Sequence, residues 1–190
     1  MKIILIDNFD SFSYNLVHYL EQLDAEITVV NNLDIELTSL LNFDVCVLSP
    51  GPGLPKEAGK LMAVVDFTVK NSIPLLGVCL GMQAIAEYFG DELYNQHVVK
   101  HGTTCTIQIE GNSILYNDLP KAFKVGLYHS WAVKLKTGSP LIPTAISDEG
   151  VLMSLEHKTL SVYAVQYHPE SILSENGLHI LSNFLNYIGN

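Results

Sequence analysis

The sequence predicts an α/β protein: an open, mostly parallel, twisted sheet with helices on both faces and a β-rich C-terminal half. Three observations carry this reading. Up to about Phe89, short continuous apolar runs alternate with amphipathic stretches, the pattern of parallel strands covered on both faces by crossover helices. From Val98 to Gln166 the chain turns to short β-patterned runs separated by Gly, Asn, Asp and Pro turns. Apolar residues make up 48% and charged residues 16%, which supplies a core and argues against disorder.

Taken in order, "KIILID" reads as the first strand and "SFSYNLVHYLEQL" as the first helix. In that helix Phe12, Leu16, Tyr19, Leu20 and Leu23 recur at helical spacing, with Asp10 or Ser11 placed to cap its start. "EITVVN" is a second strand, "DIELTSLL" an amphipathic helical stretch, and "DVCVLS" a third strand. "EAGKLMAVVDFTVKN" reads as a helix, and "SIPLLGVCLGMQAIAEYF" opens as a buried strand and closes as a helix. In the β-rich half, "TTCTIQI", "FKVGLYHSWAV", "TAISDEG", "VLMSLEH" and "SVYAVQ" are strands that extend or pack on the same sheet, and "NGLHILSNFLNYI" is a closing helix. With no repeat, low-complexity tract or flexible linker, residues 1–190 read as one domain.

Charge and cysteine usage narrow the function. Twenty acidic residues face ten lysines and no arginine, for a net charge of −10, which speaks against nucleic acid as a partner. Without arginine the chain lacks the planar fork that grips carboxylates and phosphates, so a polyanionic metabolite is expected to sit elsewhere. The three cysteines are widely spaced, without a CxxC pair, and fit a reducing compartment. The run before Asp7 is too short for a signal-peptide core, and no segment is long and apolar enough to span a membrane, so a soluble cytoplasmic protein is expected.

"GVCLG" has the G-x-nucleophile-x-G form of a sharp strand-to-helix elbow, with Cys79 presented between Gly77 and Gly81. At a helix N-terminus the unpaired N–H groups and the helix dipole favour thiolate over thiol. The elbow alone is equally compatible with a small apolar filler. "VQYHPESIL" breaks that tie: in an extended segment His168 and Glu170 point the same way, and Cys, His and carboxylate together form an activated thiol. "SPGPGLP", after the strand "DVCVLS", falls at the same carboxyl edge of the sheet, where parallel sheets bind ligands. Its glycines let backbone N–H groups approach a reacting carbonyl, and Leu80 N–H could be a second oxyanion donor. Each segment taken singly has a plain structural reading: a Pro-Gly turn, a satisfied histidine, a surface acid.

Together "DNFDSFSYNL", "SPGPGLP", "GVCLGMQAI", "YHSW" and "QYHPESILSENGLHILSNFL" resemble the class I glutamine amidotransferases, whose fold is flavodoxin-like. Within that family the likeness is to the small subunit of anthranilate synthase and its close relative in aminodeoxychorismate synthesis. The motifs span nearly the whole chain, and the termini fit an amidotransferase without a fused synthase. The resemblance implies that Cys79 is the nucleophile, His168 the general base and acid, and Glu170 the residue that orients His168. It places the oxyanion hole at the backbone amides of Gly53 and Leu80, and glutamine binding at Gly51, Gly53, Gln83, Ser130 and Trp131. It implies L-glutamine as substrate, with ammonia passed to a chorismate-using synthase partner, anthranilate synthase component I, that holds the magnesium. No cofactor is implied in this chain.

The sequence departs from the family pattern at Met82, where His or Arg is common, at Thr103 for Lys, at Leu127 for Arg, and at Trp131 for Leu. None of these removes a triad member. His18, His97, His101, His129, His157 and His179 show no metal-ligand spacing, so no metal is expected; His101 and His129 read either as helping to shape the site or the partner interface or, more readily, as surface or satisfied histidines. The competing readings are the folate-pathway amidotransferase or one subunit serving both pathways, a thiol hydrolase without a synthase partner, and a catalytically silent regulatory subunit. "QYHPES" with "SPGPG" speaks against the thiol hydrolase, and the presence of all three triad residues against the silent subunit.

Overall fold

Strict alternation of apolar side chains builds the first half of the architecture. In β1 (Lys2–Asp7), Ile3 and Leu5 face one side and Ile4 and Ile6 the other, and all four are buried. β2 (Glu26–Asn31), β3 (Val45–Leu48) and β4 (Leu75–Val78) join it in parallel register, with Ile3 opposite both Ile27 and Val45, and Cys46 opposite Leu75. The computed structural model describes residues 1–189, the side chains of 97–99 excepted.

One face of this sheet is covered by α1 (Ser13–Glu21) and the C-terminal α4 (Gly177–Ile188), which bury Leu16, Leu20, Ile180, Leu181 and Phe184. The other is covered by α2 (Leu61–Lys70) and α3 (Leu80–Tyr88), through Leu61, Val64, Val65 and Ile85. Each such side chain contributes about 1.5–3 kcal/mol by leaving water.

The β-rich half extends the same sheet. β5 (Glu92–Ile109), β6 (Ala122–Lys134), β7 (Leu141–Ser147), β8 (Leu152–His157) and β9 (Val162–Val165) follow, and among the described residues the strand order is β2-β1-β3-β4-β9-β8-β7-β5-β6. β9 makes the transition, running parallel to β4 and antiparallel to β8. The arrangement is the predicted open α/β sheet.

Three local expectations are corrected. "DIELTSLL" forms only a short 3-10 segment, Leu37–Asn42, burying Leu40. β5 begins at Glu92, earlier than the predicted change of character at Val98. At α1 the N-cap position is Phe12, with no side-chain cap; Asp10 instead accepts the Phe12 N–H at 2.8 Å and closes the turn before the helix.

The contact between α3 and the sheet needs glycine. A Cβ on Gly77 would lie 2.6 Å from the Gly81 carbonyl carbon, and one on Gly81 would lie 2.7 Å from Leu48 Cβ. Gly77→Ala is therefore expected to lower the unfolding free energy by about 1–3 kcal/mol, the cost of overpacking a closed core. Denaturant titration measures it, and an unchanged midpoint would show that α3 can move off the sheet.

Candidate functional site

Several segments converge at the carboxyl edge of the parallel strands. Cys79 lies between β4 and α3 with φ 53° and ψ −101°, a left-handed conformation that side chains other than glycine rarely adopt. Two backbone bonds hold it there: Cys79 N–H donates to the Val165 carbonyl at 2.8 Å, and Gln83 N–H donates to the Cys79 carbonyl at 3.1 Å. Leu80 begins α3, so its N–H has no acceptor within the helix.

The loop after β3 is clamped against the loop after β1. Asn8 donates its N–H to Ser49 Oγ at 2.9 Å and its Nδ2 to the Ser49 carbonyl at 2.8 Å, while Asn32 Nδ2 reaches Asn8 Oδ1 at 3.0 Å. Gly51 packs so closely there that a Cβ would sit 2.6 Å from Asn8 Cβ. Gly53 has φ 75°, so the loop turns its backbone at that point.

After β9 the chain does not stay extended. His168 N–H donates to the Gly126 carbonyl at 3.1 Å and Ser171 N–H to the His168 carbonyl at 3.2 Å, so residues 168–171 form a turn, and Ser174 Oγ donates to the same His168 carbonyl. His168 and Glu170 meet because of that turn and not because alternate strand positions share a face. Their side chains are 2.7 Å apart, Nδ1 to Oε1, and both residues are buried. Phe12 and Tyr128 stand edge-on to the imidazole, with ring centroids at 5.3 and 4.9 Å.

Burial alone would discourage a charge on His168. Hydrogen bonding and charge from the Cys79 sulfur and the Glu170 carboxylate outweigh it and push His168 up to about 10, so the ring is an imidazolium at neutral pH. Its Nε2 makes no hydrogen bond of good geometry, yet Cys79 lies close enough to raise its proton affinity. Of the other thiols, Cys46 is fully buried and pushed well above the ordinary range by burial, while Cys105 is pushed up to about 11 by burial and by Asp148 and Glu149. Neither lines the cavity that Cys79 lines.

A cavity of about 220 Å³ opens at this point. Of the residues expected at the site, Gly51, Gly53, Cys79, Gln83, Ser130 and Trp131 line it, and Tyr128 and His129 complete the wall on β6. Trp131 also lines a neighbouring cavity of about 390 Å³ with Leu54 and Leu93.

Gln83 uses its Nε2 to bond the Trp131 carbonyl at 3.1 Å and Gln166 Oε1 at 3.2 Å, which leaves its Oε1 for a ligand. Gln166 in turn points its Nε2 at Cys79 Sγ, 3.5 Å away. Its amide is orientated at both ends, and a donor faces the sulfur. Sequence reasoning misses Gln166, although it stands inside "VQYHPES"; nothing in residue type or spacing separates it from a core glutamine.

Of its two expected places, His129 takes the one in the wall of the site and not the one at the surface. It is buried, its Nδ1 lies 2.9 Å from the Trp131 carbonyl, and its Nε2 has no partner. The side chain of His97 lies outside the described residues. Among the described residues no group of three or more His, Cys, Asp or Glu could hold a metal ion, and no helix is long and apolar enough to cross a membrane.

Comparison with known proteins gives a consistent result. The profile of the family described as Glutamine amidotransferase class-I matches residues 4–188. The chain is 44% identical to anthranilate synthase component 2 of Azospirillum brasilense, covering 97% of this chain and 95% of the relative. It is 41% identical to anthranilate synthase component 2 of Pseudomonas aeruginosa, covering 98% and 96%. A crystal structure from Thermoplasma acidophilum, assigned to GMP synthase, superposes with a TM-score of 0.90 at 25% identity, covering 100% of this chain and 94% of that one.

The His168 imidazolium predicts a pH dependence of stability. A group raised from 6.5 to about 10 contributes fully below pH 6.5 and loses that contribution as pH rises through about 10. Glu170→Gln removes one cause of the shift, so the fall in Tm across that window flattens and the His168 ring titrates lower by NMR. An unchanged titration would mean that Glu170 does not hold the charge.

Proposed function

The chain belongs to the glutamine amidotransferase class-I family, and on that premise we infer that its site hydrolyses L-glutamine through Cys79, His168 and Glu170. The observation that carries this reading is the buried His168–Glu170 pair acting on a cysteine held in a strained elbow at a cavity wall.

The Cys79 sulfur attacks the side-chain amide carbon of glutamine, and the carbonyl electron pair moves onto oxygen. The Gly53 and Leu80 N–H groups receive that oxyanion, and such donors are worth about 2.7–4 kcal/mol each in other acyl-transfer sites. As the intermediate collapses the carbon–nitrogen bond breaks, and His168 gives its proton to the departing nitrogen, releasing ammonia. Neutral His168 then takes a proton from water, whose oxygen attacks the γ-glutamyl thioester. The carbon–sulfur bond breaks, glutamate leaves, and the thiolate and imidazolium are restored. Glu170 holds the ring so that Nε2 serves both steps. Gln83, through its free Oε1, is suited to accept from the α-ammonium group, and the backbone at Gly51, Ser130 and Trp131 surrounds the rest of the amino acid.

Free ammonia is protonated in water and lost as a nucleophile, so a partner must receive it. The likeness to anthranilate synthase component 2 chains supports a component I chain in that role, one that uses chorismate, and with it a part for this protein in tryptophan biosynthesis. They favour that pathway over the folate reading, and magnesium belongs to the synthase partner. The same reading fits a cytoplasmic protein.

The test combines the purified chain with an anthranilate synthase component I, glutamine and chorismate. Cys79→Ser should reduce glutamine-dependent anthranilate formation by about three orders of magnitude or more and leave ammonia-dependent formation intact. Product from ammonia but none from glutamine with the wild-type chain would overturn the reading.

A further inference from the structure

His129 is a buried polar side chain in the cavity wall whose second nitrogen the mechanism above does not use. A carbonyl oxygen can only accept, so the 2.9 Å contact with the Trp131 carbonyl requires the proton on Nδ1. Burial keeps the ring neutral, pushing it down to about 4 against the pull of that carbonyl, and the charges of His168 and Lys100 act in the same direction as burial. Nε2 is therefore a bare acceptor, fixed in direction by the bond on the other side of the ring.

A buried acceptor left unpaired is costly unless something fills it. Glutamine offers donors at two places, the α-ammonium group and the side-chain amide. The amide is the group that must enter beside Cys79, which lines the same cavity as His129, and the ring of the adjacent Tyr128 lies 4.9 Å from the His168 imidazole, which sets this stretch of β6 toward the reacting end. Collapse of the tetrahedral intermediate needs the nitrogen lone pair turned to the His168 proton. That happens when the two N–H bonds point away from His168, toward an acceptor.

We propose that His129 Nε2 accepts a hydrogen bond from the side-chain amide nitrogen of glutamine, orientating the leaving group and selecting an amide over a carboxylate. Glutamate, with lone pairs in place of those N–H bonds, would set oxygen against the bare nitrogen, so the same contact favours release of the product. The inference rests on the glutaminase reading of the site.

The test compares wild type, His129→Phe and His129→Gln in complex with the synthase partner, on glutamine and on the γ-methyl ester of glutamate, which has no side-chain N–H. Alkylation of Cys79 by a glutamine-like chloroketone, which also lacks those N–H bonds, reports whether each variant is folded and can bind. His129→Phe is expected to lower kcat/KM on glutamine by about tenfold or more, to leave the ester and the alkylation rate unchanged, and to bind glutamate more tightly as an inhibitor. His129→Gln, which returns an acceptor, should recover part of the loss. Equal losses on amide and ester would assign His129 to the α-ammonium end and overturn the proposal, as would no loss on glutamine. A wild-type complex that hydrolyses neither compound and is not alkylated would instead sink the glutaminase reading and take this inference with it.

Discussion

The site depends on one backbone conformation. Cys79 is held at φ 53° and ψ −101°, a region that costs a residue with a side chain about 1–3 kcal/mol. The conformation persists because its surroundings over-determine it. The carbonyl of Val165 takes the Cys79 N–H, the Cys79 carbonyl takes the Gln83 N–H, and the missing side chains of Gly77 and Gly81 let α3 lie directly on the sheet. From that single turn follow the exposure of the sulfur to the cavity, the free N–H at Leu80 and the position of Gln83 one helical turn on.

Sheet topology brings the other half of the chemistry to that turn. Because β9 pairs with β4, the segment leaving Val165 emerges beside the segment leaving Val78, although they lie far apart in sequence. The turn that follows is then tied to β6, through the bonds of His168 N–H to Gly126 and of Gly126 N–H to Ser174 Oγ. His168 thus sits between a parallel and an antiparallel region of one sheet. This explains why the β-rich half is needed: it carries the strand that leads to His168 and the strand that walls the cavity.

Much of this was legible in the sequence. Short apolar runs such as "KIILID" and "DVCVLS" announced buried parallel strands, and "GVCLG" announced the elbow, because both follow from local sterics and period-two burial. The single order of the nine strands among the described residues could not be read, since strand pairing depends on contacts between distant segments. The closeness of His168 and Glu170 was anticipated, but for the wrong reason. Pro169 and the Ser171 N–H make a turn where alternation suggested a strand, and residue type does not distinguish the two. Gln166 stayed hidden, and a place in the wall stayed only one of two readings for His129, for a related cause. Their significance lies in the partners of their polar atoms: the Cys79 sulfur for Gln166 Nε2, and for His129 the Trp131 carbonyl at Nδ1 with Nε2 left unpaired.

The Trp131 carbonyl accepts from both Gln83 and His129, filling both lone pairs of one oxygen. The orientation of two side chains in the cavity wall is therefore delegated to a main-chain atom, held by the pairing of Trp131 with Asn95. The side chain at this position is released from that duty. It stands between two cavities. A substitution at residue 131 can reshape the shared wall, and with it the neighbouring cavity, while the two bonds that its main-chain carbonyl accepts stay in place.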